Sequence, residues 1–121
     1  MSLPLLPETT GFVDAAAFAA MQPETYLINV GRGPVIDERA LYDALHGRRI
    51  AGAAIDTWYV YPTPERPRAL PATLPFHELD NVLMSPHLSG WTTGTIARRA
   101  AVMAENVERL ANGLPLLHVV T

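Results

Sequence analysis

The chain has 121 residues, 49% of them hydrophobic and only 17% charged, a balance that excludes intrinsic disorder and, at this length, more than one modest core. Its formal charge is −3 and all nine basic residues are arginine, so nucleic acid is not an expected partner. Without cysteine there is no disulfide framework, no thiolate nucleophile and no cysteine metal site, and a cytoplasmic protein is expected.

The opening residues, Met1 to Pro7, lack a basic stretch and contain two prolines, unlike a signal peptide. No uninterrupted apolar run reaches the roughly 20 residues that cross a bilayer, so no membrane partner is expected. From Phe12 to Met21, Asp14 stands where it can cap an alanine-rich helix with Ala17, Phe18 and Met21 on one face, ended by Pro23. Thr25-Tyr26-Leu27-Ile28-Asn29-Val30 is continuously apolar and stops at Gly31, which predicts a strand buried on both faces of a parallel sheet. Asp37 then caps a second helix over Glu38 to His46, with Leu41, Ala44 and Leu45 on one side and Gly47 as its stop. Ile50 to Ile55 reads as a small-residue strand closing on Asp56, and strand, helix, strand in that order predicts a βαβ crossover.

Between Thr57 and Asp80 the periodicity vanishes. Five of the fourteen residues from Pro62 to Pro75 are proline, which predicts a long loop without helix or ladder pairing. Loops of this length in compact domains usually line a site or meet a partner. Asn81-Val82-Leu83-Met84-Ser85 is another short strand, broken by Pro86 and followed by His87. The longest helix runs to about Ala111, with Ile96, Ala100, Met103, Val107 and Leu110 on one face, Asn112-Gly113 as its cap, and an extended tail from Pro115 to Val120.

Each predicted strand ends on a polar residue: Asn29 and then Gly31-Arg32, next Asp56, next Ser85 and then His87. In a parallel sheet these ends share one edge, the edge at which open α/β proteins bind ligands. An isolated arginine after a strand is ordinarily a surface residue. A guanidinium, a carboxylate and an imidazole on three consecutive strand ends instead suit an anion and proton-transfer site.

These runs resemble one family. Leu3-Pro4-Leu5 with Pro7-Glu8-Thr9, then Leu27 to Asp37, Ala40-Leu41 with Ala44-Leu45, Gly52-Ala53-Ala54-Ile55-Asp56, and Asp80-Asn81-Val82 with Ser85-Pro86-His87 closely resemble the D-isomer-specific 2-hydroxyacid dehydrogenases, in the same order and at matching separations. The resemblance implies a catalytic set of Arg32, which holds the substrate carboxylate bidentately, and His87, which gives or takes the proton at the substrate oxygen. It also implies a cofactor edge made of Asn29, Val30, Gly31, Asp56, Ser89 and Gly90, with Asp56 accepting a hydrogen bond from the nicotinamide carboxamide. The implied cofactor is NAD or NADP, and the implied substrate a small 2-hydroxy or 2-oxo acid.

Two departures from that family are visible. Its glutamate partner to the histidine is replaced, by counting from Arg32, by Tyr61, which is expected to complete the catalytic set by orienting the ring. In this respect the chain is similar to the related formate dehydrogenases, whose Asp-Val-Trp-Phe segment matches Asp56-Thr57-Trp58-Tyr59. Glu65 is the next carboxylate along the chain. The second departure is that these residues hold no G-x-G-x-x-G turn for a pyrophosphate. The expected fold is therefore α/β, half of a doubly wound Rossmann-type parallel sheet flanked by helices plus a long C-terminal helix. Residues 1–121 form a single partial NAD(P)-binding domain, the second mononucleotide-binding half with the helix and tail. The expected function is that of the C-terminal segment of such a dehydrogenase, inactive as this chain alone, the alternative being a non-catalytic binding or assembly module. The uncovered sheet edge predicts a homodimer.

Overall fold

The computed structural model describes residues 1–120. The chain divides into two compact units, the first Met1–Leu88 and the second from Ser89 onward. In the first unit, Asp14 accepts the Ala17 amide at 2.9 Å and opens helix α1, Ala15–Ala20. Strand β1 covers Tyr26–Asn29. Asp37 accepts the Ala40 amide at 2.7 Å at the start of α2, Glu38–His46, which stops at Gly47. Strands β2, Gly52–Ile55, and β3, Val82–Met84, complete a three-stranded sheet of order β1-β2-β3, parallel throughout.

The core joins Leu27, Ala53 and Ile55 of the strands to Phe18, Leu41 and Leu45 of the helices, with Ile36, Ile50, Trp58 and Phe76. Each such large side chain withdrawn from water contributes about 1.5–3 kcal/mol. The sheet is not buried on both faces as its apolar strands predict. Leu27 pairs in register with Ala53 and Val82, and Ile28 with Ala54 and Leu83. The first row faces the helices, whereas Tyr26, Ile28 and Leu83 are 73%, 57% and 71% exposed. Both helices of this unit pack on the same core, so alternation along each strand leaves the second row uncovered.

The proline-rich segment is pinned rather than loose. The Glu38 carboxylate accepts the Thr73 amide at 2.6 Å, the Thr73 hydroxyl at 2.8 Å and the Leu74 amide at 3.0 Å. Phe76 opens a short 3₁₀ turn, Phe76–Glu78, that the sequence pattern does not predict, and its buried ring meets Tyr42 and Trp58 edge-on at 5.3 and 5.8 Å. Tyr59 lies beside it. Burial, reinforced by the Glu38 and Asp37 carboxylates, holds the Tyr59 phenol well above the ordinary tyrosine range.

In the second unit, Gly94 takes φ +86° immediately before α3, Thr95–Ala111, a conformation that side-chain-bearing residues rarely adopt. Ile96, Met103, Val107 and Leu110 form the predicted stripe and are 67–69% exposed. The tail does not run out as an extended segment. Asn106 brackets Leu117, accepting its amide at 2.8 Å and donating to its carbonyl at 3.2 Å, and Arg109 donates to the Pro115 carbonyl at 2.6 Å, so the chain folds back along α3. No helix among the described residues is long and apolar enough to cross a membrane.

Candidate active site

The register Asn29↔Ile55 and Ile55↔Met84 aligns the three strand ends on one edge. Two further bonds extend the alignment, from the Asp56 amide to the Asn29 carbonyl at 3.0 Å and from the Ser85 amide to the Ile55 carbonyl at 3.0 Å. Adjacent strands lie about 4.8 Å apart, so the outer two ends stand about 10 Å apart. Arg32 follows one of them, His87 follows the other, and Asp56 follows the end of the strand between.

Asn29 is almost wholly buried and shapes the first turn with both ends of its amide. Its Oδ1 accepts the Gly31 amide and its Nδ2 donates to the Arg32 carbonyl, each at 3.1 Å. Asparagine suits a strand end because its side chain can replace the ladder partners that the backbone loses there. Gly31 is required by close approach. A Cβ there would stand 2.7 Å from the Leu3 carbonyl oxygen and 3.1 Å from the Ser2 carbonyl carbon. The backbone of Met1 pairs with that of Ile28 and Val30, so the first residues of the chain run along the outer edge of β1. Together Ser2 to Leu5 and Val30 to Arg32 line a cavity of about 430 Å³. The exposed Arg32 guanidinium donates to the Gly31 carbonyl at 2.8 Å.

At the other end, the buried Asp56 carboxylate holds the loop on both sides of His87. Its Oδ1 accepts the Ser85 hydroxyl at 2.6 Å and the Leu88 amide at 2.9 Å. The Trp58 indole donates to the Ser85 carbonyl at 2.9 Å. His87 itself has φ +59°. A left-handed histidine persists only where its surroundings over-determine it, and such residues concentrate at functional sites. Its Nδ1 lies 3.0 Å from the Tyr61 hydroxyl oxygen, which also accepts the Trp58 backbone N–H at 3.1 Å. Beside this pair Trp58, Tyr61, Pro62, Met84 and Pro86 help to line an apolar cavity of about 460 Å³.

The structure thus brings Tyr61 to His87, while Glu65 stays fully exposed. Local bonds from its own backbone and from Thr63 lower the Glu65 pKa. Ser89 and Gly90 open the second unit, and Gly90 has open space where a Cβ would stand. Sequence reading gives no role to the Trp58 amide, to Ser85 or to the Leu88 amide in holding the histidine. Their only signal in the sequence is that β2 and β3 end in register, which brings Asp56 and Ser85 side by side.

A nicotinamide edge is chemically consistent with these residues, since Asp56 places a buried acceptor between the strand ends that carry Arg32 and His87. Among known proteins, residues 1–89 match the family described as D-isomer specific 2-hydroxyacid dehydrogenase, NAD binding domain. D-3-phosphoglycerate dehydrogenase of Escherichia coli strain K12 is 42% identical over 92 residues, 76% of this chain and 22% of that protein. The chain therefore spans about a fifth of the length of that relative. A D-isomer specific 2-hydroxyacid dehydrogenase from Xanthobacter autotrophicus Py2, solved in complex with NADPH and MES, superposes with a TM-score of 0.76 at 38% identity, over 99% of this chain and 46% of that one. D-lactate dehydrogenase from Lactobacillus jensenii, solved with NAD+, gives a TM-score of 0.79 at 26% identity over 98% and 38%. Strand ends, sheet order and sequence agree, and the chain belongs to the NAD-binding domain family of the D-isomer specific 2-hydroxyacid dehydrogenases.

Proposed function

We propose that this chain is the second mononucleotide-binding half of an NAD(P)-binding domain, with its helix and tail, and forms the hydride-transfer edge of a dehydrogenase for a small 2-hydroxy or 2-oxo acid. The observation that carries the reading is the alignment of Asn29, Ile55 and Met84, from which Arg32, Asp56 and His87 follow on one sheet edge. When bound, the nicotinamide supplies or accepts the hydride. Arg32 pairs with the substrate carboxylate through its planar fork, and His87 holds the proton exchanged at the substrate oxygen. Asp56 would accept a hydrogen bond from the nicotinamide carboxamide, Asn29 fixes the turn carrying Val30 and Gly31, and Ser89 and Gly90 would help to hold the nicotinamide. Tyr61 stands beside His87 as the ring's partner.

Alone the chain is inactive in this reading, because its 121 residues contain no glycine-rich turn for the pyrophosphate. The exposed row Tyr26, Ile28 and Leu83 and the stripe on α3 favour a homodimer. The lack of cysteine and of a basic excess favours a cytoplasmic setting without nucleic acid.

Calorimetric titration of the chain with NADH should show no micromolar binding, and a binding free energy near about −8 kcal/mol would overturn the inactivity. Fused to a glycine-rich half from a relative, the chain should reduce 2-oxo acids, with Arg32→Ala and His87→Ala abolishing turnover. Full turnover by the His87→Ala fusion would remove the assigned acid. Light scattering should give twice the monomer mass, and a monomer at every concentration counts against the dimer.

A further inference from the structure

The partner of His87 determines which ring nitrogen carries the proton. A backbone N–H can only donate, so the Trp58 amide, 3.1 Å from the Tyr61 hydroxyl, occupies one lone pair of that oxygen. The hydroxyl has a single proton, and the other polar atom at its oxygen is His87 Nδ1, at 3.0 Å. A neutral imidazole has one N–H and one lone pair. When Nδ1 accepts from the phenol, the ring proton sits on Nε2, the nitrogen on the far side of the ring. Asp56 fixes the loop that carries the ring, through the Ser85 hydroxyl and the Leu88 amide on either side of His87.

We propose that Tyr61 is a positioning residue that holds neutral His87 as the Nε2–H tautomer, so that the nitrogen facing away from Tyr61 offers a proton where a general base needs a lone pair. A carboxylate in the same place would act oppositely. It can only accept, so it would draw the proton to Nδ1 and free the Nε2 lone pair, and in a Ser-His-Asp triad the wrong tautomer lowers kcat by about 10⁴. The catalytic consequence rests on the dehydrogenase reading: the neutral ring must move its proton to Nδ1 before Nε2 can take the hydroxyl proton of a 2-hydroxy acid.

The tautomer is read directly from long-range ¹H–¹⁵N spectra of the ¹⁵N-labelled chain at about pH 8.5, between the ordinary histidine and tyrosine ranges. His87→Gln identifies the resonances among the four histidines. The expected wild-type pattern is a pyridine-type Nδ1 and a pyrrole-type Nε2. Tyr61→Glu should reverse it, and Tyr61→Phe should give averaged shifts. A protonated Nδ1 in the wild-type chain, a measurement that needs no variant to fold, overturns the proposal. So does a folded Tyr61→Phe chain with unchanged shifts. No cofactor is involved, so this result can fail while the fused enzyme turns over, and the fusion can fail while the tautomer stands.

Discussion

Helices α2 and α3 display apolar stripes of equal regularity yet meet different surroundings. In α2, Leu41, Ala44 and Leu45 are buried against the sheet, its N-terminus has an aspartate cap, and its first-turn Glu38 ties down the proline-rich segment. In α3 no residue is buried, no side chain caps the first turn, and the stripe from Ile96 to Leu110 is open. Periodicity therefore identifies a helix and its sticky face, but what covers that face is a separate fact.

Truncation in the two stripes gives the largest expected difference. Leu45→Ala should cost about 2–5 kcal/mol in urea unfolding, and Leu110→Ala, measured where the chain is a monomer, about 0.5 kcal/mol or less. Equal losses in the monomer would break the comparison, and a larger Leu110→Ala loss confined to concentrations where the chain dimerises would show that the second copy covers α3. Tyr59, partly buried beside Asp37 and Glu38 at the N-terminus of α2, should make the first unit sensitive to alkali. Its folded pKa lies above the unfolded value of about 10. Below pH 10 both states keep the proton and nothing is lost. Above it the unfolded chain releases the proton first, so stability falls by about 1.4 kcal/mol per pH unit for this one group. Tyr59→Phe should remove that slope in pH-dependent denaturation. Asp37→Ala, which deletes the cap of α2, should cost about 1 kcal/mol. The smallest effect belongs to the exposed i,i+4 pairs, Arg39–Asp43 at 3.9 Å on α2 and Arg109–Glu105 at 3.4 Å on α3. Arg39→Ala and Glu105→Ala should each change stability by about 0.5 kcal/mol or less, a point at which the two helices behave alike.

Much of this fold is legible from local chemistry. Asp14 and Asp37 cap the helices they were expected to cap, and the three apolar runs became the three parallel strands. The misreadings share one cause. Uniformly apolar residues in β1 suggest burial on both faces, but alternation cannot reveal that helices cover only one. Five prolines mark a long loop, and the three bonds to a single glutamate carboxylate that fix it are formed across 35 and 36 residues, out of reach of local pattern. The alignment of strand ends was legible as a candidate site because parallel pairing places like ends together. The Asp56–Ser85 bond was not, because it spans 29 residues, whereas the family resemblance had already set Tyr61 opposite His87 across 26.

By itself the sequence determined helix periods, caps, the order of elements along the chain and the family, since each rests on residues within a few positions of one another or on motifs in fixed order. Tertiary structure alone decided which row of the sheet is covered, that Asp56 grips both sides of a left-handed His87, and that a backbone amide holds the phenol opposite the imidazole. Those features depend on strand register, and a shift of one residue would turn each strand's side chains to the opposite face and part these partners.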